Sequence, residues 1–340
     1  MTAPNSIRLC VMALFAAFAA AVQSAEYYEN KTITLIAGND AGSGYDAYAR
    51  LAARHMSKYI PGKPAFVVRN MPGAGSVVAA QHMYNVAPKD GTTIAILFPG
   101  ALLEPLTGDP AKYRYDPTKF EYIGTADSGT RLCFMMANSA VQTLEDARNQ
   151  KVIIGGTAAG SSTTDYAWFM NALAGTKFEV VTGYKGPGDI LLALERGEAA
   201  GICALDSGTL LTMRPDWISS GRIKVFLQAG LEPNPRYSAL GVPPMQNFMS
   251  GENLAIAELI VSQQVFARPF VAPPGTSRQA LDILRAAFMP AMADSALLEE
   301  AAKMKLDINP KSGAEIAGLV RKIYASPPEI IEKMKKALRP

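Results

Sequence analysis

The residues best suited to chemistry in this sequence are glycines and hydroxyl residues that follow predicted strands. The first group is Gly42-Ser43-Gly44, directly before a predicted helix that carries Asp46 in its first turn. Glycines at such a turn let backbone N–H groups converge, and the helix start adds the positive end of its dipole. This loop predicts a site for a carboxylate or phosphate, in which Asp46 either caps the helix or accepts a hydrogen bond from the ligand.

Two further loops of similar composition lie later in the chain. Gly73 and Gly75 belong to the second loop, which taken alone is an ordinary turn between a strand and a helix. Because parallel strands bring their carboxyl ends to one edge of a sheet, this loop should lie beside the first. In the third loop, residues 155–165, the run Ser161-Ser162-Thr163 can donate hydrogen bonds to an anion or cap its own helix.

The same loops admit other chemistry, which the rest of the sequence disfavours. Gly42-x-Gly44-x-x-Ala47 matches a dinucleotide fingerprint, but the second strand ends in Arg69-Asn70 instead of the acidic residue that holds a ribose. A purely structural turn is the other alternative for this loop. Ser161 and Ser162 are candidate nucleophiles, but no Gly-x-Ser-x-Gly elbow surrounds them and neither histidine has an obvious path to them. We therefore expect no catalysis.

The composition narrows the function class further. The chain has 340 residues, of which 49% are hydrophobic, so a disordered chain is excluded and one or two domains are expected. Its 33 Lys+Arg nearly balance its 30 Asp+Glu, which argues against a nucleic-acid partner. With 2 His and 3 Cys, it has little material for zinc binding or histidine catalysis. We expect no metal and no cofactor.

The first 25 residues are predicted to be a secretory signal. Arg8 precedes an apolar run of about 14 residues, which is shorter than the ~20 that cross a bilayer. Small residues permit a cut before Ala25, and a cut before Glu26 is an alternative. After cleavage, Cys133 and Cys203 are the remaining cysteines. They either form a disulfide in an oxidising compartment or stay as free thiols in apolar strands, and we favour the free thiols.

Alternating strand and helix patterns predict an α/β fold. Strands over 32–37, 66–69 and 93–98, with helices over 46–59 and 76–86, form a βαβαβ unit, so the sheet should be mostly parallel with helices on both faces.

A second α/β stretch begins near Arg131, and it predicts a second lobe with a ligand cleft between the two. Residues 264–272 are strand-like, and the remainder is mostly helical and ends in a basic helix that we expect to be solvated. The patterns predict strands over 132–136, 152–155, 179–181, 200–205 and 223–228, and helices over 163–174 and 188–195.

Two charged residues near the proposed crossing between the lobes are weaker candidates. Asp206 ends a strand, where it either faces the cleft or caps the segment that follows. Arg131 either pairs with a second ligand carboxylate through both guanidinium nitrogens or forms a surface salt bridge.

Five motifs in order along nearly all of the mature chain resemble the extracytoplasmic solute-binding proteins of the tripartite tricarboxylate transporter (TTT) family, the Bug-type receptors. They are Gly42-Ser43-Gly44-Tyr45-Asp46 followed by Ala49-Arg50, Asn70-Met71-Pro72-Gly73-Ala74-Gly75, Pro88-Lys89-Asp90-Gly91, Tyr184-Lys185-Gly186, and Ala272-Pro273-Pro274-Gly275-Thr276.

The resemblance implies a two-lobed periplasmic binding protein-like fold of type II. It divides the mature chain into lobe 1, residues 26–128 plus 230–340, and lobe 2, residues 129–229. It also implies that a ligand carboxylate is held by Ala41 to Asp46 and by Gly160 to Thr164. Three residues depart from the family pattern: Tyr45 replaces a small hydroxyl residue, Thr164 stands where the family often has histidine, and Met71 replaces the usual arginine.

The resulting expectation is a monomeric periplasmic receptor without enzymatic activity. It captures a small organic acid (a mono-, di- or tricarboxylate, or an aromatic acid) by hinge closure and delivers it to the membrane permease subunits of a tripartite tricarboxylate transporter. Two alternatives stay open at this point. One is an exported serine hydrolase that uses Ser161 or Ser162, and the other is a ligand-sensing partner of a membrane sensor kinase.

Overall fold

The structure is a computed structural model, and it describes residues 27–108, 110–157, 161–184, 186–304 and 306–338. Gly160 and the predicted signal over residues 1–25 lie outside the described residues. None of the described helices combines the length and hydrophobicity that a bilayer crossing requires.

The N-terminal part alternates strands and helices as the sequence predicts. Its first strand, with the sequence TITLIA, is rich in β-branched residues and is buried along its second half, as expected of an inner strand. The elements are β1 (Thr32–Ala37), α1 (Gly44–Met56), β2 (Ala65–Asn70), α2 (Val77–Asn85), β3 (Thr93–Ile96), α3 (Pro99–Thr107) and β4 (Glu121–Thr125).

The middle part repeats this alternation. Two of its helices end at glycines in the left-handed conformation, Gly175 and Gly197, which stop each helix and turn the chain toward the next strand. The elements are β5 (Arg131–Met136), α4 (Leu144–Asn149), β6 (Val152–Gly155), α5 (Ser162–Ala174), β7 (Phe178–Val181), α6 (Pro187–Arg196), β8 (Gly201–Asp206), α7 (Ser207–Met213) and β9 (Ile223–Ala229).

The C-terminal part is mostly helical, as predicted. Its last, basic helix is not solvated all round, because Met334 and Ala337 are buried where it packs against α5 and the helix that starts at Gly251. The elements are α8 (Pro235–Ser238), α9 (Gly251–Val261), β10 (Pro269–Ala272), α10 (Arg278–Met292), α11 (Ser295–Met304), β11 (Lys311–Ser312), α12 (Gly313–Tyr324) and α13 (Pro328–Leu338).

The strands form two mixed sheets with helices packed around them. The first sheet has the order β11-β4-β10-β3-β1-β2, and the second has the order β7-β6-β8-β5-β9. β1 pairs in parallel with β2 and β3, whereas β10 runs antiparallel to β3 and β4. In the second sheet β5 runs antiparallel to its neighbours β8 and β9, while β6 runs parallel to β7 and β8. Most strands of each sheet therefore share one direction.

The chain passes from the first sheet to the second between β4 and β5, and it returns between β9 and β10. The first crossing is fastened by Asn309, whose backbone N–H donates to the carbonyl of Ala126 (3.1 Å) and whose side chain donates to the carbonyl of Ser128 (2.8 Å). The boundaries predicted at 128/129 and 229/230 lie in or beside these two connections, and they remain a prediction.

The strand predicted over 264–272 is wrong in its first half. A 3-10 helix, Ser262–Phe266, precedes β10, which begins only at Pro269. Short apolar runs look alike in a buried strand and a buried helix, so periodicity could not separate them. Pairing decides the boundary, because the chain reaches the edge of β4 only at Arg268, whose N–H donates to Thr125 Oγ1 (3.0 Å).

The prediction of two free thiols is also wrong, because Cys133 and Cys203 form a disulfide. The two residues lie on the antiparallel neighbours β5 and β8, beside a register shift that follows Leu132. Their Cα atoms are 4.0 Å apart although 70 positions separate them in the sequence. Apolar surroundings suggested burial, which the structure confirms, but only strand pairing could bring the sulfurs together.

Candidate functional site

The first glycine loop is held in shape by the side chain of Asp46. Ser43 is the N-cap of α1, and its hydroxyl accepts a hydrogen bond from the Asp46 N–H (3.3 Å). Asp46 accepts hydrogen bonds from the Gly42 N–H (2.9 Å), the Arg50 Nε–H (3.0 Å) and the Asn70 side chain (2.9 Å). Since Asp46 is only 4% exposed, these contacts favour its predicted role in ordering the helix start over direct contact with a ligand.

The surroundings of Asp46 stabilise its ionised form. Burial opposes ionisation, but hydrogen bonds from Arg50, Gly42 and Asn70 outweigh that cost and hold the pKa of Asp46 below its usual value. The Gly42 N–H is therefore committed to this carboxylate. Gly44 is exposed, and the space where a side chain would start is open. An anion that approaches this loop meets Gly44 and the beginning of α1.

The second glycine loop lies against the first, as the parallel pairing of β1 and β2 predicts. Asn70 ends β2, and its side chain also donates to the carbonyl of Asn39 (2.9 Å). Ser76 Oγ donates to the carbonyl of Gly38 (3.0 Å) and accepts from the Phe98 N–H (3.1 Å). The two side chains thereby tie together the carboxyl ends of β1, β2 and β3.

Gly73 and Gly75 shape this second loop. Their φ angles are 137° and 60°, and Ala74 and Ser76 beside them have φ angles of 45° and 72°. Four consecutive residues with positive φ make a tight turn in which glycine is the least strained residue. A Cβ on Gly73 would also lie 2.7 Å from a methyl group of Val78. Both glycines are exposed at the sheet edge, and contact with a ligand remains a prediction for them.

Tyr45 is buried and links the first loop to the returning chain. Its hydroxyl donates to the carbonyl of Ala267 (2.9 Å) and accepts from Arg268 Nη1 (3.2 Å). Its ring lies 4.2 Å from the ring of Phe98, and the Arg268 guanidinium lies 4.5 Å from the Tyr45 ring centroid. Burial raises the pKa of Tyr45, an effect that Arg268 partly offsets. Tyr45 therefore forms a wall behind the first loop.

In the described part of the third loop, hydroxyl groups bond to one another. Thr157 Oγ1 donates to Ser161 Oγ (2.6 Å), and Thr163 Oγ1 accepts from the Thr157 N–H (3.2 Å). Thr164 is fully buried, and its hydroxyl has no hydrogen-bond partner among the described residues. That hydroxyl faces Gly156, where a Cβ would lie 2.5 Å from it. Ser162 is the first residue of α5.

A small cavity of about 80 Å³ lies between elements of the two sheets, and we call it the interlobe cavity. Ser162 lines it, but Ala41, Gly42 and Gly44 are not among its lining residues. The first loop reaches it only through Tyr45, whose hydroxyl bonds to Ala267. The residues that line the cavity are Pro99, Arg131, Ser162, Asp165, Tyr166, Ile260, Gln263, Gln264, Ala267 and Leu338.

A group of charged side chains lies at the crossing between the sheets. Asp127 is 3% exposed, and its Oδ1 atom has no hydrogen-bond partner among the described residues. Burial, reinforced by the charge of Asp206, raises the pKa of Asp127 to about 7, although Arg268 and Arg131 oppose the shift. Burial and Asp206 also raise the pKa of Asp307. Three carboxyl groups and two arginines therefore lie close enough at the crossing to influence one another.

Asp206 takes the capping role that was one of its two alternatives. Its carboxylate accepts hydrogen bonds from the N–H of Thr209 (3.0 Å) and from the Thr209 hydroxyl (3.2 Å) at the start of α7. The other oxygen faces the crossing, because a Cβ on Gly129 would lie 2.7 Å from it. Contact between Asp206 and a ligand remains a prediction.

Sequence reasoning missed Asp127, Gln264 and Arg268. Gln264 and Arg268 fall in the segment that was predicted as one strand, where their side chains had no assigned role. The sequence does hold one indication for Arg268, because it stands within an apolar run and a buried charge needs a partner. Arg268 finds it by stacking on Tyr45 and Tyr48, with its guanidinium 4.5 and 5.0 Å from the two ring centroids.

One of the two histidines, His55, lies beside the acidic side chains of Asp294 and Glu300. His55 lies at the end of α1, where its Nε2 is 2.7 Å from a carboxylate oxygen of Glu300. The described part of the chain contains no cluster of three or more His, Cys, Asp or Glu side chains placed to hold a metal ion.

Comparison with known proteins identifies the family of this chain and proteins that share its fold. A model of the tripartite tricarboxylate transporter family receptors, TctC, matches residues 48–336. The chain belongs to this family. A relative from Cupriavidus necator, described as a UPF0065 protein in the gbd 5' region, is 27% identical over 323 residues, which span 91% of this chain and 89% of the relative.

Solved structures of TctC-type proteins have the same fold as this receptor-family chain. A TctC solute binding protein from Polaromonas superposes with a TM-score of 0.70 at 18% identity, covering 90% of this chain and 99% of that one. MatC from Rhodopseudomonas palustris, solved with bound malate, gives a TM-score of 0.57 at 19% identity, covering 91% and 99%. The two mixed sheets therefore form the two-lobed, type II-like fold of periplasmic binding proteins.

Proposed function

We propose that this protein is a periplasmic receptor that captures a small organic carboxylate and delivers it to a tripartite tricarboxylate-type permease. The observation that carries the proposal is the interlobe cavity, which residues near both sheets enclose. Arg131, at the start of β5 in the second sheet, lines this cavity. Pro99 and Ala267, which lie next to strands of the first sheet, line it too. A cation in a small enclosed site between lobes favours an anionic ligand.

Asp165, in the first turn of α5, adds a negative charge to the lining of the cavity, and two kinds of positive potential act against it on such a ligand. Arg131 supplies a full charge, and the first turn of α5, which starts at Ser162, supplies the positive end of a helix of 13 residues. The family supports a carboxylate, since MatC was solved with malate. Asp46 orders the first loop and acts on the ligand through it. Our proposed ligand residues beyond the cavity are those of the three loops and the crossing, namely Ala41, Gly42, Ser43, Gly44, Tyr45, Gly73, Gly75, Gly160, Ser161, Thr163, Thr164 and Asp206.

The proposed mechanism is closure of lobe 1, residues 26–128 plus 230–340, onto lobe 2, residues 129–229. The two crossings act as the hinge, and closure brings the loops of lobe 1 toward Ser162 and Arg131. Water leaves the cleft as it closes, which strengthens the hydrogen bonds and charge interactions around the carboxylate. The free receptor is mostly open, because a ligand that bridges both lobes stabilises the closed state.

A thermal-shift screen of the mature chain tests the ligand class. A panel of mono-, di- and tricarboxylates, hydroxy acids, amino acids and aromatic acids is compared with amines and neutral sugars as controls. A ligand at 100 times its dissociation constant stabilises the folded chain by about 2.7 kcal/mol, which appears as a raised melting temperature. Stabilisation by an acid and by none of the controls supports the proposal. Stabilisation by none of the acids contradicts it.

Delivery is tested separately, in the organism that produces the protein. Uptake of the radiolabelled acid should fall when this receptor is deleted and return when it is supplied on a plasmid. Unchanged uptake, with the purified receptor still binding the acid, would contradict delivery but leave binding intact. The cut near Ala25 is checked by the N-terminal sequence of the protein recovered from the periplasm.

A further inference from the structure

The interlobe cavity has a size and polarity that restrict what part of a ligand it accepts. Its volume of about 80 Å³ is well below the ~300 Å³ at which pockets begin to hold a whole small molecule. It therefore encloses one end of a ligand, such as a carboxylate and the groups on the neighbouring carbon. The polar atoms that line it then decide which ends fit.

Arg131 is the first of these polar groups. In the part of the chain that the structure describes, its guanidinium forms neither a hydrogen bond nor an ion pair. The surface salt bridge that sequence reasoning considered is thus not made by the described residues. Asp165 lines the same cavity as Arg131. Nearby Asp127 and Tyr166 feel the positive charge of Arg131, but neither bonds to it. The fork of N–H groups on Arg131 is available to a carboxylate that enters the cavity.

Gln264 is the second polar group, and it offers a hydrogen-bond acceptor where Arg131 offers donors. Only 6% of the residue is exposed, and its Nε2 donates to the hydroxyl of Tyr166. Its Oε1 atom is buried without a hydrogen-bond partner among the described residues. A buried carbonyl oxygen without a donor costs free energy, which a ligand that supplies an O–H or N–H would recover.

We propose that Arg131 and Gln264 select the ligand together: the Arg131 guanidinium pairs with a terminal carboxylate, and Gln264 Oε1 accepts a hydrogen bond from an O–H or N–H beside that carboxylate. The preferred ligands are then hydroxy acids or amino acids, and acids without a donor near the carboxylate bind more weakly. This inference rests on the proposed function, because it names the class of acid that the receptor takes.

Matched acids test the role of Gln264. Isothermal titration is performed with succinate, malate and aspartate, with propionate, lactate and alanine, and with phenylacetate and mandelate. In whichever set binds, the acid with a donor should bind wild type about tenfold tighter than the acid without one. Gln264→Leu should remove this preference. Tyr166→Phe, which removes the same Nε2 bond but leaves Oε1 in place, should retain it.

Arg131→Gln tests the carboxylate contact. Loss of a charged, two-point hydrogen bond should weaken every acid that binds by about 10- to 100-fold, whether or not it carries a donor. Arg131→Lys keeps the charge without the planar fork and should lie between wild type and Arg131→Gln. Circular dichroism and melting temperatures confirm that each variant folds.

The outcomes separate this inference from the proposed function. If no acid of the thermal-shift panel binds wild type, the proposed function fails and the inference fails with it. If acids bind but Arg131→Gln binds them as tightly as wild type, or wild type does not prefer the acid with a donor, only the inference is overturned. A preference that persists in Gln264→Leu also overturns the assignment of Gln264.

Discussion

At the scale of single residues, the site depends on side chains that hold other groups in place. Asp46 is an example, because its carboxylate accepts hydrogen bonds from Gly42, Arg50 and Asn70 and joins two loops at one sheet edge. A residue of this kind influences binding without contact with the ligand. Its removal should disturb both the loop and the start of α1.

Asp46→Ala should therefore lower ligand affinity and also lower the free energy of unfolding by about 1–3 kcal/mol, because it removes three hydrogen bonds to one buried carboxylate. Both are measured, by titration calorimetry and by urea unfolding. Arg50→Ala is the control: it removes one exposed partner of the same carboxylate and should cost less than about 1 kcal/mol. Equal effects of the two variants would contradict this role for Asp46.

Asp127 should make stability depend on pH. Burial and the charge of Asp206 raise its pKa to about 7 in the folded chain; Asp307 adds to the shift, while Arg268 and Arg131 oppose it. Between about pH 4 and pH 7 the folded chain binds more protons at this site than the unfolded chain. Its contribution to the free energy of unfolding therefore falls as pH rises, by up to ~1.4 kcal/mol per pH unit, and is constant above pH 7.

Asp127→Asn isolates this contribution. Compared with wild type in urea unfolding between pH 5 and pH 8, the variant should gain stability as pH rises, because the amide does not ionise. The difference between the two proteins removes the contribution of every other titrating group. Parallel pH profiles of wild type and Asp127→Asn would show that Asp127 ionises in the folded chain as it does in the unfolded one.

At the scale of elements, local patterns predicted most strands and helices but not the pairings between them. For β1, the β-branched run TITLIA predicted the bounds that the structure shows, Thr32–Ala37. Two predictions were wrong for a common reason: a strand over the first half of 264–272, and free thiols at Cys133 and Cys203. Both depend on which strands become neighbours, and a single sequence does not contain that information locally.

The glycine loops could be predicted for the same local reason, whereas the interlobe cavity could not. Gly42 and Gly44 predict a turn before a helix, and the parallel pairing of β1 with β2 then places the second loop beside them. Arg268 contacts Tyr45, and Gln264 lines the cavity, only because the chain returns to β3 and β4 through β10. Nothing near these residues in the sequence indicates that return.

The disulfide between β5 and β8 should stabilise the second sheet. It closes a loop of about 70 residues, and the restriction of the unfolded chain contributes roughly 4 kcal/mol. The double variant Cys133→Ala/Cys203→Ala should lose stability of that order in urea unfolding. Wild type unfolded with a reductant should behave like the variant. Two free thiols in wild type denatured without reductant would contradict the bond.

Gly44→Val tests whether the first loop binds an anion. A side chain at this exposed helix start would occupy the space that a carboxylate approaches, so binding should be lost while the fold is kept, since nothing lies within 4 Å of its Cβ position. Gly318→Val is the matched control: it is a helical glycine on α12 with equally open surroundings, and it should bind as wild type does. Unchanged affinity in Gly44→Val would remove the loop from the site.

At the scale of the whole molecule, two mixed sheets and two crossings form the frame of a TctC-family receptor. The balanced composition and scarcity of histidine, which disfavoured several enzyme classes, agree with a protein that holds its ligand through helix starts, hydroxyl groups and one or two arginines. The proposed action needs no covalent chemistry. It requires that one acid molecule bind reversibly between the lobes and leave unchanged.

Isothermal titration of the mature chain with the acid that stabilises it most, followed by mass spectrometry of the released acid, tests this claim most directly. We predict one acid bound per chain, reversibly, with the acid recovered intact after release. Conversion of the acid to a product, or heat of binding that is absent for every acid of the panel, would contradict the account.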